Sequence, residues 1–115
     1  MRKVIGRLLA LLSGVVLLGS NKIEQVGQYL RFESCRQESR CKSEYSFKLF
    51  IAGYSLDDSH EGVLEKLEFY TELLRENEVH SVSENSQITI NRITLASINE
   101  GLFVYSINIS VVVVT

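Results

Sequence analysis

Cys35 and Cys41 stand six residues apart in a polar stretch, and they are the chain's only cysteines. Three fates follow from that spacing: reduced thiols in a reducing compartment, a small disulfide loop if the chain is exported, or part of a metal site. A four-ligand zinc site would need partners, and His60 and His80, the only histidines, lie far along the chain. His60 falls in the first turn of an expected helix, where the helix dipole disfavours a charged imidazole. His80 falls in a polar loop, and both read as surface residues. No serine sits in a nucleophile elbow, no glycine-rich phosphate loop occurs, and no two carboxylates are singled out as an acid and base pair. The residues predict no enzyme, no cofactor and no metal.

Charge says more. The net charge of −2 excludes a generic nucleic-acid binder on bulk charge. Yet residues 1–42 hold eight Lys/Arg against three Asp/Glu, and residues 43–115 hold four against eleven. Either this is an uneven but solvated surface, or two complementary patches dock copies of the chain head-to-tail. Glu61, Glu65, Glu68, Glu72 and Glu76 form one stripe of a helix. Arg31, Arg36 and Arg40 lie on or beside a charged hairpin. These are the candidate interface residues.

The elements that carry them follow from periodicity. Asp58 can cap a helix, with Glu61 completing a capping-box pattern. Val63, Leu67, Tyr70 and Leu74 give its apolar stripe, widened by Leu64 and Leu73. Val26 to Glu33 alternates as a strand, Ser34 to Ser43 reads as a polar hairpin tip, and Tyr45 to Tyr54 as a second strand. In that second strand Tyr45, Phe47, Leu49 and Ile51 share one face, while Phe50 and Ala52 make the other partly apolar. Val79 to Gln87 reads as a polar connector. Beyond it, the phase slips around Asn91-Arg92, which predicts a bulge. Asn99-Glu100-Gly101 signals a turn into a long strand with Phe103, Tyr105, Ile107, Ile109, Val111 and Val113 on one face. A strand this apolar belongs inside a sheet rather than at its edge.

The first twenty residues admit two readings. Basic Met1 to Arg7, apolar Leu8 to Leu18 and small Gly19-Ser20 have the layout of a secretory signal that would be cleaved. Alternatively Val4, Leu8, Leu11 and Leu12 form a helix stripe that Ser13-Gly14 ends, followed by a short buried strand from Val15 to Leu18. The run is too short for a comfortable membrane span. At 115 residues the chain is one domain, 1–115. The expected fold is α+β, a mostly antiparallel four- to five-stranded sheet with two helices packed on one face.

This order of elements resembles the tail terminator (tail-completion) proteins of long-tailed bacteriophages. The resemblance rests on Tyr29-Leu30-Arg31-Phe32 with Tyr45-Ser46-Phe47-Lys48-Leu49-Phe50-Ile51, on Gly62-Val63-Leu64-Glu65-Lys66-Leu67, and on Gly101 to Ile109. It implies a homo-oligomeric ring, usually of six subunits, that caps the tail tube, stops its growth and meets the head connector. The partners implied are further copies, the tube protein and the head-connector protein, with no catalysis. The location would be the virion, or the host cytoplasm during assembly. The alternative is a small exported binding module, cleaved near Ser20 and closed by a Cys35–Cys41 disulfide.

Overall fold

The computed structural model describes residues 2–12, 14–19, 23, 25–54, 62–76, 86–99 and 101–114. They form α1 (Arg2–Leu11), β1 (Val15–Leu17), β2 (Gly27–Ser39), β3 (Lys42–Gly53), α2 (Val63–Glu76), β4 (Ser86–Asn99) and β5 (Leu102–Val114). The five strands make one mixed sheet in the order β1-β2-β3-β5-β4, with β1 parallel to β2 and every other pairing antiparallel. The fold is α+β, as the element pattern predicts.

The last strand lies inside the sheet, between β3 and β4. Its alternation explains the place. Ile107, Ile109 and Val111 are buried on one face, yet Leu102, Val104, Ser106 and Ser110 are buried on the other. A strand covered on both sides needs hydrogen-bonded neighbours on both edges, or its backbone groups would be stranded.

The main core gathers Phe47, Leu49 and Ile51 of β3 with Ile107, Ile109 and Val111 of β5. Leu8 and Leu12 of the N-terminal segment join the same cluster, as do Val63, Leu67, Tyr70 and Leu74 of α2. Phe32 meets Phe47 edge-on, with ring centroids 5.5 Å apart. The α2 stripe is buried in the phase read from sequence, and Thr71 is buried beside it. Leu64 is exposed instead of widening the stripe, because its position on the helix turns it toward the solvent side. A smaller cluster on the other face of the sheet unites Phe50, Ala52, Leu102 and Val104, with Leu18, Ile23 and Tyr29 packed against it.

Gly14 ends the N-terminal turn with φ +82, and the Val15 amide donates to the Leu12 carbonyl at 3.3 Å. That left-handed backbone favours glycine and aims the chain into β1. The expectation of a short buried strand here is half right. Val15 is buried, but Val16 and Leu17 are exposed, since β1 is the outermost strand. The β2–β3 region also differs from expectation. Ser34 to Ser43 is not a loose tip: β2 runs to Ser39, β3 starts at Lys42, and only Arg40 and Cys41 make the turn.

The bulge expected at Asn91-Arg92 is present as a register shift between Ile90 and Arg92, and a second follows between Leu95 and Ser97. Ile93, Leu95 and Ile98 keep the register of the core face but are exposed at this edge. The two bulges protect the edge, because each interrupts the flat ladder that a foreign strand would copy. The Asp58 and Glu61 cap, His60, His80, and the connector from Val79 to Asn85 lie outside the described residues.

Candidate functional site

The candidate interface residues separate into three environments. On α2, Glu65, Glu68, Glu72 and Glu76 are exposed, as their spacing predicts. None of them takes part in an ion pair among the described residues. No described cation forms an ion pair with them, and like charges at this spacing repel. Phe69 lies in the same stripe, at helical phase between Glu65 and Glu72. It is 55% exposed and meets the Tyr70 ring edge-on, with centroids 5.1 Å apart. An aromatic side chain left in water beside four carboxylates is a feature the sequence reading missed. Its signal was present: Phe69 does not fit the Val63/Leu67/Tyr70/Leu74 phase.

Arg36 and Arg40 sit on the β2–β3 hairpin, where Arg36 and Lys42 are ion-paired. Arg36 donates to Glu38 at 3.0 Å and lies 3.8 Å from Glu44, while Lys42 reaches Glu38 at 3.2 Å. The hydrogen bond from Arg36 holds the Glu38 carboxyl below its ordinary range, helped by Lys42. Arg40 is an exposed turn residue. Arg36 and Lys42 are thus engaged within the hairpin rather than offered as a free basic patch.

Arg31 belongs to a different surface. The strand registers place Arg31 opposite Lys48, Lys48 opposite Asn108, and Asn108 opposite Arg92. Directly opposed residues share a face, so these four form one row across four strands, on the face away from the main core. Neighbouring strands are about 4.8 Å apart, so the row spans the middle of the sheet. Arg92 has no acidic partner among the described residues. Lys48 and Arg92 were not singled out in the sequence. They are far apart along the chain, and only the strand register aligns them.

One carboxylate serves this row. Glu33 sits at a register shift between Phe32 and Ser34. It accepts from the Arg31 Nη2 at 2.7 Å, and its Oε1 lies 3.5 Å from the Lys48 Nζ. Arg31 also stacks over Phe50, with its guanidinium carbon 5.0 Å from the ring centre. The hydrogen bond from Arg31 holds the Glu33 carboxyl below its ordinary range. Burial opposes this and Lys48 assists it. We expect the Glu33 carboxyl to titrate below an ordinary glutamate by NMR, and Arg31→Gln to move its midpoint up. A folded-state value below the unfolded one stabilises the fold above the unfolded value. That contribution disappears as pH falls through the folded value. No upward movement in Arg31→Gln would show that the pair does not set the titration.

Beside the row, the bulged Asn91 donates from Nδ2 to Ser110 Oγ at 2.7 Å, and the hydroxyls of Thr94 and Ser106 are 3.1 Å apart. These bonds let Ser106 and Ser110 be buried without cost to satisfaction. An open depression of about 260 Å³ lies here, lined by Glu33, Ser46, Lys48, Asn91 and Asn108, with Phe47 and Ile109. Asn108 Oδ1, on a lining residue, and Arg31 Nε, in the row, are both buried without a hydrogen-bond partner. The surface is thus cationic, concave and incompletely satisfied.

Cys35 and Cys41 are both exposed free thiols. Cys35 pairs across the hairpin with Tyr45, whose hydroxyl is pushed up by burial and by that thiol. Cys41 lies four residues before Tyr45, about 13 Å along an extended strand. A disulfide needs its Cα atoms within about 7 Å, so this register must shift for the bridge to close. Among the described residues no three His, Cys, Asp or Glu side chains gather as a metal site, and no helix is long and apolar enough to cross a membrane.

Comparison with models of protein families finds no match, and comparison with curated proteins finds none either.

Proposed function

We propose that the chain is a structural subunit that assembles head-to-tail with its own copies, and that the assembly is the ring that terminates a phage tail. The observation that carries this is the separation of acidic and basic surfaces. The α2 stripe is acidic and forms no ion pair among the described residues, while the row from Arg31 to Arg92 is basic and carries one compensating carboxylate. Opposite patches at different places on one molecule favour heterologous contacts, which close into rings when the rotation permits.

We further infer that both helices cover the same face of the sheet, since Leu8, Leu12, Val63, Leu67 and Leu74 share one cluster with the core face of β3 and β5. This puts the basic row on the opposite face of the sheet, which also carries the smaller cluster of Phe50, Ala52, Leu102 and Val104. The role is mechanical: to seat on the last layer of a tail tube, stop its growth and offer a surface to the head connector. Six copies are proposed from the resemblance in element order, and the site of action is the virion or the host cytoplasm during assembly. No step in this role requires catalysis or a cofactor.

The test is the particle. Particles assembled without this chain are expected to bear tails of uncontrolled length that do not join heads. Tails of normal length joined to heads would exclude a terminator.

A further inference from the structure

The acidic stripe and the basic row have complementary chemistry, with an exposed aromatic in the first and an open depression beside the second. We propose that they are mates: α2 of one copy docks on the sheet face opposite the main core of the next, with Phe69 entering the depression beside Lys48. The proposal deepens the ring reading and rests on its head-to-tail geometry.

The occupant is set by charge. The row Arg31, Lys48, Arg92 needs acidic counter-charges, and Glu33 supplies one. The helix offers four carboxylates on one stripe, at about 5–6 Å intervals, to face cations one strand apart at Arg31 and Lys48, ~4.8 Å, and two strands apart at Lys48 and Arg92, ~9.6 Å. The aromatic supplies what charge alone does not. Exposed charges steer and orient but contribute little binding energy, whereas a buried aromatic at the centre of a contact contributes much of it. Phe69 is 55% exposed, and the depression of about 260 Å³ has room for one side chain of that size. Cations at its rim are suited to an aromatic face, as Arg31 over Phe50 already demonstrates inside the chain.

The geometry excludes a self-matching twofold contact through these patches. The stripe is on the solvent side of α2, and the row is on the sheet face away from the main core, so each copy gives one and receives the other. That is the arrangement of an open or closed chain of copies.

The full chain tests this by sedimentation velocity and a crosslinker. Glu68→Lys with Glu72→Lys is expected to weaken self-association by ~10-fold or more, and Lys48→Glu with Arg92→Glu likewise. The chain carrying all four changes is expected to regain most of the loss, as coupled charges do in a paired cycle. Raising salt should weaken the wild type and the four-change chain alike. Arg92→Glu alone serves if Lys48→Glu impairs folding, since Arg92 is exposed. A photoreactive residue in place of Phe69 is expected to link to Ser46, Lys48 or Asn108 of another copy. A chain that stays monomeric at its highest soluble concentration in low salt overturns the proposal. So does a four-change chain no better than either pair, or a crosslink that maps elsewhere. These readouts use the purified chain, so they stand apart from the particle test: tails that assemble normally without the chain would remove the terminator reading and leave the docking result intact.

Discussion

Phe47→Ala is expected to cost ~3–5 kcal/mol of folding stability, the range for removing a large buried aromatic. Phe47 is 1% exposed and lies in the main core, with Phe32 against its edge. Removal loses that ring pair and leaves a void that β3 and β5 cannot fill, because both strands are held in register along their whole lengths. Urea denaturation would read the change as a lower midpoint at unchanged slope. The same truncation at exposed Phe69 is expected to stay within ~0.5 kcal/mol. A Phe47→Ala chain as stable as the wild type would remove the assignment of Phe47 to the core.

Leu8→Ala is expected to cost ~2–5 kcal/mol, because Leu8 is fully buried with Leu12 in the same cluster as the α2 stripe. The prediction also bears on the two readings of the N-terminus. If the first twenty residues are removed in the native host, the mature chain begins near Asn21 and Leu8 cannot affect its stability. Intact-mass measurement of the protein from that host therefore accompanies the stability measurement. A mature chain starting near Asn21 would favour the exported alternative. A full-length chain that Leu8→Ala destabilises would favour a structural α1.

What the sequence made legible was periodic. The α2 stripe, the β5 alternation and the slip at Asn91-Arg92 could be read because each depends on neighbours within a few residues. The extent of the hairpin was not legible. Ser34 to Ser43 is polar on both sides, and in such a segment strand structure is carried by backbone pairing and by ion pairs such as Arg36–Glu38, not by burial. The basic row was not legible for a different reason. Arg31, Lys48 and Arg92 come from three strands, and only the strand order and register align them. The acidic stripe lay on one helix and was found, while its proposed mate was assigned in sequence to Arg31, Arg36 and Arg40. The structure keeps Arg31 in the row, shows Arg36 engaged within the hairpin, and places Arg40 at the turn.

The placement of β5 governs how this chain can fold. Lys42 pairs with Val114 and Gly53 with Phe103, so the contacts at the heart of the sheet join distant parts of the chain. Such non-local pairing raises contact order and moves a small domain toward folding in milliseconds to seconds rather than microseconds. It also orders events during synthesis. β2 and β3 can close their hairpin as soon as both have emerged, but β3 then presents a long unpaired edge with apolar side chains on both faces. That edge stays open until β5, the last of the five strands, has been made. The same strand that buries the molecule's centre is the one whose delay leaves it most prone to aggregate.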